Sequence, residues 1–306
     1  MGFSPNGKTI QKNGISQTLW HLNRLTLGRL FSILRGDIGY AWWRLRNLDA
    51  SFSSYYAATI TKKLDQGKAH RTLGKKRHGP ANFLAGGEQL GPANSLKHGS
   101  FAFKKITRLG LQPHHLCVDF GCGSLRIGQH LIGYLKSGRY IGLDITDRFI
   151  RDGLDLLDTG MLQAKDPKIH VINEPILQAV TQMKPDYIIC VSVLMHVPPH
   201  ELDAFFDRIL RLMTSQTTLL LFFDESSSPI RTEAKSWAYS VASLTDYVRC
   251  RLPDARVSSQ PGSVKGRIGK SEFRRSILII KGGQKNRPAL PESYHASFIS
   301  YKVSAC

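Results

Sequence analysis

An α/β fold built on a mainly parallel sheet, with helices on both faces, is predicted by three observations. Between about residues 100 and 283, short apolar segments of strand length alternate with longer segments of helical periodicity. The segment Cys117-Val118-Asp119-Phe120 runs straight into Gly121-Cys122-Gly123-Ser124, and Leu125 to Leu135 then read as a helix. A buried strand, a tight glycine turn and a helix N-terminus in that order bring backbone amides close to a small bound molecule. A second apolar run, Arg139 to Asp144 (RYIGLD), again ends in an acid, 25 residues after Asp119. A strand-end acid at about that distance commonly holds ribose hydroxyls in nucleotide folds.

The elements follow in order. Residues 1–14 carry Gly, Asn, Lys and Pro with little apolar content and are expected to be disordered. A helix is predicted from Ile15 to Leu34: Ile15, Leu19, Leu22, Leu30 and Ile33 share a face, widened by Trp20, Leu27, Phe31 and Leu34. Gly36-Asp37 is read as its end. A second helix from Ile38 to Leu48 mixes Tyr40, Trp42 and Trp43 with Arg44 and Arg46, and a third runs from Ser53 to Leu64. Residues 67–99 are rich in Gly, Pro, Lys and His and read as loop. A helix from Phe101 to Leu109 leads to the first strand, Leu116 to Phe120. The second strand is Tyr140 to Leu143, followed by a helix over Arg148 to Thr159. The third strand is His170 to Ile172 and the fourth Tyr187 to Val191. A helix with Leu202, Phe205, Phe206, Ile209 and Leu212 precedes the fifth strand, Thr218 to Phe223. A helix over Ser236 to Leu252 and strands near Arg256 to Ser259 and Ser276 to Ile280 complete the domain.

These motifs together resemble a known family. VDFGCGSLRIG followed by YIGLDI is similar to the first two motifs of class I S-adenosylmethionine-dependent methyltransferases. KPDYIICVSVLMHVPP (Lys184 to Pro199) resembles the fourth motif and TTLLLFFD (Thr217 to Asp224) the fifth strand. A dinucleotide-binding loop would read G-x-G-x-x-G, but the position after Gly123-x-x is Arg126. The resemblance implies a Rossmann-like, mainly parallel seven-stranded sheet closed by an antiparallel hairpin. It also implies S-adenosyl-L-methionine as cofactor. One departure stands out: many members carry a third glycine two residues after the second, and here that position is Leu125, read as a slightly wider turn. The chain then divides into a basic helical and loop extension (1–99), a methyltransferase domain (100–283) and a C-terminal tail (284–306).

The resemblance assigns cofactor-binding roles residue by residue. Asp119 would hold the methionine amino group; alternatively it is an acid facing a helix N-terminus. Gly121 and Gly123 would let the chain pass close to the cofactor, and Asp144 would accept the ribose diol. Asn173 and Glu174 follow the third strand, where an acid or amide often meets the adenine amino group; the alternative is a polar loop. Ser192 and Val193 follow the fourth strand and would present backbone carbonyls. His196 has the pKa range of a general base and is the candidate catalytic residue, against a packing role. Asp224-Glu225 end the fifth strand on the expected active-site edge and are read as solvated loop, with a place near the acceptor as the alternative. The fourth motif has no Asn-Pro-Pro-Tyr or Asp-Pro-Pro-Tyr, which weighs against amino-methylation of DNA bases, and no Pro-Cys pair for attack on cytosine. His114-His115 and the other histidines show no ligand spacing, so no metal is expected.

Composition locates the charge. Residues 1–105 hold 17 Lys/Arg against 4 Asp/Glu, whereas residues 106–283 hold 22 against 18, within a net +19 for the chain. The basic field therefore belongs to the extension, including Lys75-Lys76-Arg77-His78, and suits phosphate, nucleic acid, anionic lipid or an acidic glycan. Residues 15–78 are read as packing on the core, resting on an anionic membrane, or clamping RNA. Five cysteines without a C-x-x-C pair argue for thiols in a reducing compartment. No 18-residue apolar run or secretory signal is visible, so a cytoplasmic protein is expected, with peripheral membrane contact as one reading. The expected acceptor is a small molecule, lipid or glycan. The alternatives are an RNA methyltransferase and a non-catalytic adenosylmethionine-binding partner protein.

Overall fold

The computed structural model describes residues 14–48, 50–66, 99–155, 157–268 and 271–282. Expectations for 1–13, for the loop at 67–98 with its Lys75-Lys76-Arg77-His78 run, and for the tail at 283–306 lie outside the described residues. Helices α1 (Gly14–Arg46) and α2 (Phe52–Asp65) come first. The sheet domain runs α3 (Ser100–Arg108), β1 (Cys117–Phe120), α4 (Gly128–Tyr134), β2 (Tyr140–Asp144), α5 (Asp147–Leu154), α6 (Thr159–Lys165), β3 (Lys168–Val171) and α7 (Glu174–Gln182). It continues with β4 (Tyr187–Val191), 3-10 turns at Leu194–His196 and Pro199–Glu201, α8 (Leu202–Arg211) and β5 (Thr218–Glu225). The hairpin β6 (Ile230–Glu233) and β7 (Ser236–Ala238), α9 (Val241–Arg251), β8 (Arg256–Gln260), β9 (Val264–Ile268) and β10 (Ser271–Lys281) follow.

The main sheet has the order β3-β2-β1-β4-β5-β10-β8. Strands β1 to β5 are parallel, and β10 runs antiparallel to both β5 and β8. The expected α/β class, parallel core and closing antiparallel strands are all present. The strand count differs: β9 pairs with β10 and makes the sheet eight-stranded. The period of two sorts the strands between two cores. Val118, Phe120, Ile188, Cys190, Leu219, Leu221 and Phe223 pack with α7, α8 and α9. Cys117, Ile189, Leu220 and Phe222 pack with α3, α4 and α5 on the other face. Each fully buried Leu or Ile contributes roughly 1.5–3 kcal/mol.

Four local expectations are corrected. Gly36-Asp37 does not end the first helix, which runs unbroken to Arg46. A helical glycine costs about 1 kcal/mol, but here it lets α1 lie close to its neighbours. A Cβ on Gly39 would stand 2.9 Å from the Tyr55 hydroxyl, and one on Gly36 3.3 Å from Ala234 Cβ. Asp37 meanwhile pairs with Arg231 at 2.7 Å. Next, the helix expected over Arg148 to Thr159 is two helices, because Asp158 caps a new one by accepting the Met161 N–H at 2.7 Å. Third, Ser236 to Ala238 is a strand paired with β6, and the helix begins only after Ser240, whose Oγ accepts the Ser243 N–H. Finally, α4 starts at Gly128, not at Leu125.

Helix α2 ties the two layers together. Its Phe52 belongs to one core and its Ile60 to the other. Glu201 accepts the Phe52 N–H, the Ser53 N–H at 3.2 Å and the Ser53 hydroxyl at 2.8 Å. A carboxylate on the exposed amides of a helix N-terminus is favourable. At the other end, Asp65 pairs with Arg148 at 3.3 Å. The helix thus crosses the sheet at the carboxyl ends of β1, β2 and β4, where the site lies.

Candidate functional site

Strand β1 lies between β2 and β4, so the chain leaves it in one direction and β4 in the other. A crevice opens at such a switch point, beyond the strands' carboxyl ends. The glycine loop fills one wall. Gly121 has φ +84°, and a Cβ there would stand 2.1 Å from Val193 Cγ2 in the segment after β4. Only a residue without a side chain permits this approach. The Gly121 and Cys122 amides donate to the Leu143 carbonyl at 2.6 and 3.0 Å, and the Gly123 amide donates to Asp144 Oδ2 at 2.8 Å. The two sequence motifs are therefore hydrogen-bonded to each other.

Leu125 resolves the departure in the glycine pattern. It takes φ +59°, the left-handed conformation a glycine adopts freely, with its side chain fully buried among Leu131, Leu135 and Ile150. The conformational cost of roughly 1–2 kcal/mol is offset by burial worth about the same or more.

Asp119 and Asp144 are 3% and 7% exposed. Tyr140 donates its hydroxyl to Asp119 Oδ2 at 3.0 Å, and the Thr146 N–H donates to Asp144 Oδ1 at 3.1 Å. Burial pushes the Asp119 carboxyl up to about 7; the Tyr140 hydrogen bond opposes this and the Asp144 charge adds to it. Burial pushes Asp144 up to about 6 against the pull of the backbone amides of Gly123, Thr146 and Ile145. Among the described residues no Lys or Arg is ion-paired with either. Two buried acids without a cation suit a ligand that brings positive charge and hydroxyl donors. The Ser124 hydroxyl, buried in the same loop, has no hydrogen-bond partner among the described residues. Beside Asp144, a cavity of about 170 Å³ is lined by Ala57, Ala58 and Thr61 of α2 and by Ile145, Thr146, Asp147 and Val171. Cavities of roughly that size hold one aromatic ring.

The other expected residues make contacts within the protein. Asn173 Oδ1 accepts the Ile176 N–H at 2.9 Å and caps α7. Glu174 turns away to Arg211, taking both guanidinium nitrogens at 2.6 and 3.0 Å. Ser192 has φ +63°, and its Oγ accepts from Arg275 at 2.9 Å. The Val193 carbonyl accepts the His196 N–H at 2.8 Å. Asp224 is not in a solvated loop: it is buried near the end of β5, paired with Arg275 at 2.8 Å and Lys265 at 2.6 Å. Cys117, Cys122 and Cys190 are buried free thiols, pushed well up by burial. Among the described residues no group of three or more His, Cys, Asp or Glu could hold a metal ion.

His196 stands in a cluster that sequence reasoning missed. Its ring stacks on Tyr56 of α2 with centroids 4.8 Å apart, and Nδ1 lies 2.8 Å from the Lys235 carbonyl. A carbonyl accepts only, so Nδ1 carries the hydrogen and Nε2 keeps its lone pair. Burial lowers the His196 pKa, favouring the neutral ring. The Tyr56 hydroxyl is pushed up, first by burial and then by the Asp144 charge. The Lys235 ammonium lies 4.3 Å from the Tyr55 ring centroid and 5.9 Å from that of Tyr56. Burial, then the Lys63 charge, lowers Lys235 to about 8. The adjacent tyrosines at 55 and 56 were the only sequence signal. Lys235 lies one residue before the segment read as helix, where no local pattern singled it out.

The methyltransferase-domain family profile matches residues 118–219. Magnesium protoporphyrin IX methyltransferase from Synechocystis PCC 6803, solved with bound SAM, superposes with a TM-score of 0.50 at 15% identity, over 76% of this chain and 98% of that one. A SAM-dependent methyltransferase from Anabaena variabilis ATCC 29413 superposes with a TM-score of 0.51 at 13% identity, over 76% and 96%. No curated protein matches in sequence.

Proposed function

We propose, from the premise that this chain belongs to the class I S-adenosylmethionine-dependent methyltransferase superfamily, that it methylates an oxygen of a small acceptor carrying an anionic group. The observation that carries this reading is the cluster of His196, Tyr56 and Lys235, in which the Tyr56 ring stacks on His196 and the Lys235 carbonyl holds His196 Nδ1. When bound, S-adenosylmethionine supplies an electrophilic methyl carbon on a cationic sulfur. Asp119 faces the ligand's ammonium group. Asp144 would offer the ribose hydroxyls the acceptor capacity left by the Gly123, Thr146 and Ile145 amides, since a carboxylate has about four acceptor sites. Gly121, Gly123 and the Ser192-Val193 backbone would form the walls, and the residues lining the cavity beside α2 would hold the base. Asn173 is assigned to capping α7. His196 Nε2 would take the proton of the acceptor hydroxyl, freeing the oxygen lone pair for the methyl carbon with the neutral thioether as leaving group, and would then release that proton to water. Lys235, with Lys63 nearby, holds the acceptor's anionic group in a half-buried aromatic setting where such a contact is stronger than in water.

The buried acids set the pH dependence. Both hold their protons to higher pH in the folded protein than their ordinary value of 3.8. Their contribution to stability is present below about pH 4 and lost as pH rises through about 6 and 7. A bound cation works in the opposite direction, because it needs the carboxylates ionised. Calorimetry is expected to find cofactor binding roughly tenfold or more weaker at pH 5 than at pH 8. Equal affinity at both would remove the two acids from the ligand set.

The function itself is tested by transfer of labelled methyl into a fractionated cell extract of RNA, protein, lipid, polysaccharide and small molecules, with Asp144→Ala as control. Label in the small-molecule, lipid or polysaccharide fraction, lost in the control, supports the reading. With that acceptor, Lys235→Met is expected to raise KM about tenfold and leave cofactor affinity unchanged. Label in RNA would replace the acceptor class. Cofactor binding without label in any fraction would leave a non-catalytic binding protein.

A further inference from the structure

We infer that the outward face of α1 is a docking surface for an anionic membrane. Leu30, Phe31, Leu34, Ile38, Trp42 and Leu45 are 54–76% exposed, and Leu48 just beyond the helix is 73% exposed. At about 100° per residue the six helical positions fall within an arc of about 120°. The opposite arc carries Gly36, Gly39, Tyr40 and Trp43, which meet Ala234 and Tyr55. The apolar stripe is therefore not the core-facing side of the helix. Soluble proteins rarely leave so continuous an apolar strip uncovered without a partner for it.

Charge identifies the partner. Arg35 and Arg46 fall just beyond one edge of the stripe and Arg44 just beyond the other. None of the three is ion-paired among the described residues. Between residues 28 and 48 the only acid is Asp37, which is bound to Arg231. A second copy seated on this face would bring arginine rims together with no carboxylate between them. A phosphate headgroup layer supplies both the apolar interior and the negative rim. Trp42, with Arg46 5.6 Å from its ring centroid, is the amphipathic residue suited to the boundary. Among the described residues no helix is long and apolar enough to cross a membrane, so this helix lies on the surface.

The test is sedimentation of the full chain with vesicles of phosphatidylcholine alone and of phosphatidylcholine with phosphatidylglycerol, at low and high salt. Binding is expected only to the anionic vesicles and to weaken with salt. A Phe31→Ser, Ile38→Ser, Trp42→Ser variant changes exposed positions only; an unchanged melting temperature would confirm its fold, and its vesicle binding is expected to fall about tenfold or more. Neutralising Arg35, Arg44 or Arg46 is expected to cost about fivefold each. A wild-type protein that stays in the supernatant overturns the inference. So does a dimer dispersed by the triple substitution, which would assign the face to a second copy, or retention on RNA in place of vesicles. None of these outcomes depends on methyl transfer.

Discussion

Replacing His196 with Ala is expected to lower kcat by about 10²- to 10⁴-fold while leaving cofactor affinity unchanged. The ring is held on two sides, by Tyr56 stacked at 4.8 Å and by the Lys235 carbonyl at 2.8 Å on Nδ1. That carbonyl fixes the hydrogen on Nδ1 and leaves the basic lone pair on Nε2. Burial keeps the imidazole pKa below its ordinary 6.5, so the base form dominates at neutral pH. The acid limb of the kcat profile is expected below pH 6.5 and should disappear in the variant. His196→Asn separates the base from a packing role, since its amide nitrogen still reaches the Lys235 carbonyl but takes no proton. Equal losses in Ala and Asn variants support the base. Full turnover in either, with only a lower melting temperature, would leave His196 a packing residue.

Gly121→Ala is expected to abolish cofactor binding and to destabilise the protein. Two costs coincide at this position. The φ of +84° costs a side-chain-bearing residue roughly 1–2 kcal/mol, and the new Cβ would stand 2.1 Å from Val193 Cγ2. Either the Val193 segment moves or the β1 and β4 ends part, and both distort the crevice. Val193→Ala removes the colliding methyl groups but not the strain in φ. A Gly121→Ala, Val193→Ala double variant is therefore expected to regain about 0.5–3 kcal/mol relative to the sum of the single changes. Strict additivity in chemical denaturation would mean that the two side chains do not meet.

Much of this was legible locally. The strands at 117–120, 140–144 and 187–191 are short, apolar and bounded by turn residues, so their existence and parallel arrangement follow from the chain alone. The Gly121 and Gly123 turn and the acids at 119 and 144 were visible for the same reason, because one strand, one turn and one helix start are consecutive in sequence. Where local signals conflicted with packing, they misled. Gly36-Asp37 reads as a helix stop, yet the close approach of Tyr55 and Ala234 carries α1 through it. Leu125 reads as a missing glycine, yet a buried leucine holds the same left-handed turn.

The sequence by itself determined the strands, the glycine turn and the strand-end acids, because each is signalled by residues consecutive in the chain. The tertiary structure alone decided what faces them. Tyr56 lies 140 residues before His196, and Lys235 lies 39 after it; no spacing rule links three such positions. Helix α2 reaches the crevice only because Phe52 and Ile60 enter opposite cores and Glu201 holds its first amides. The face of α1 was settled in the same way. Its apolar residues could have served the core or solvent, and the glycines on the other side gave the inward contact to Tyr40 and Trp43.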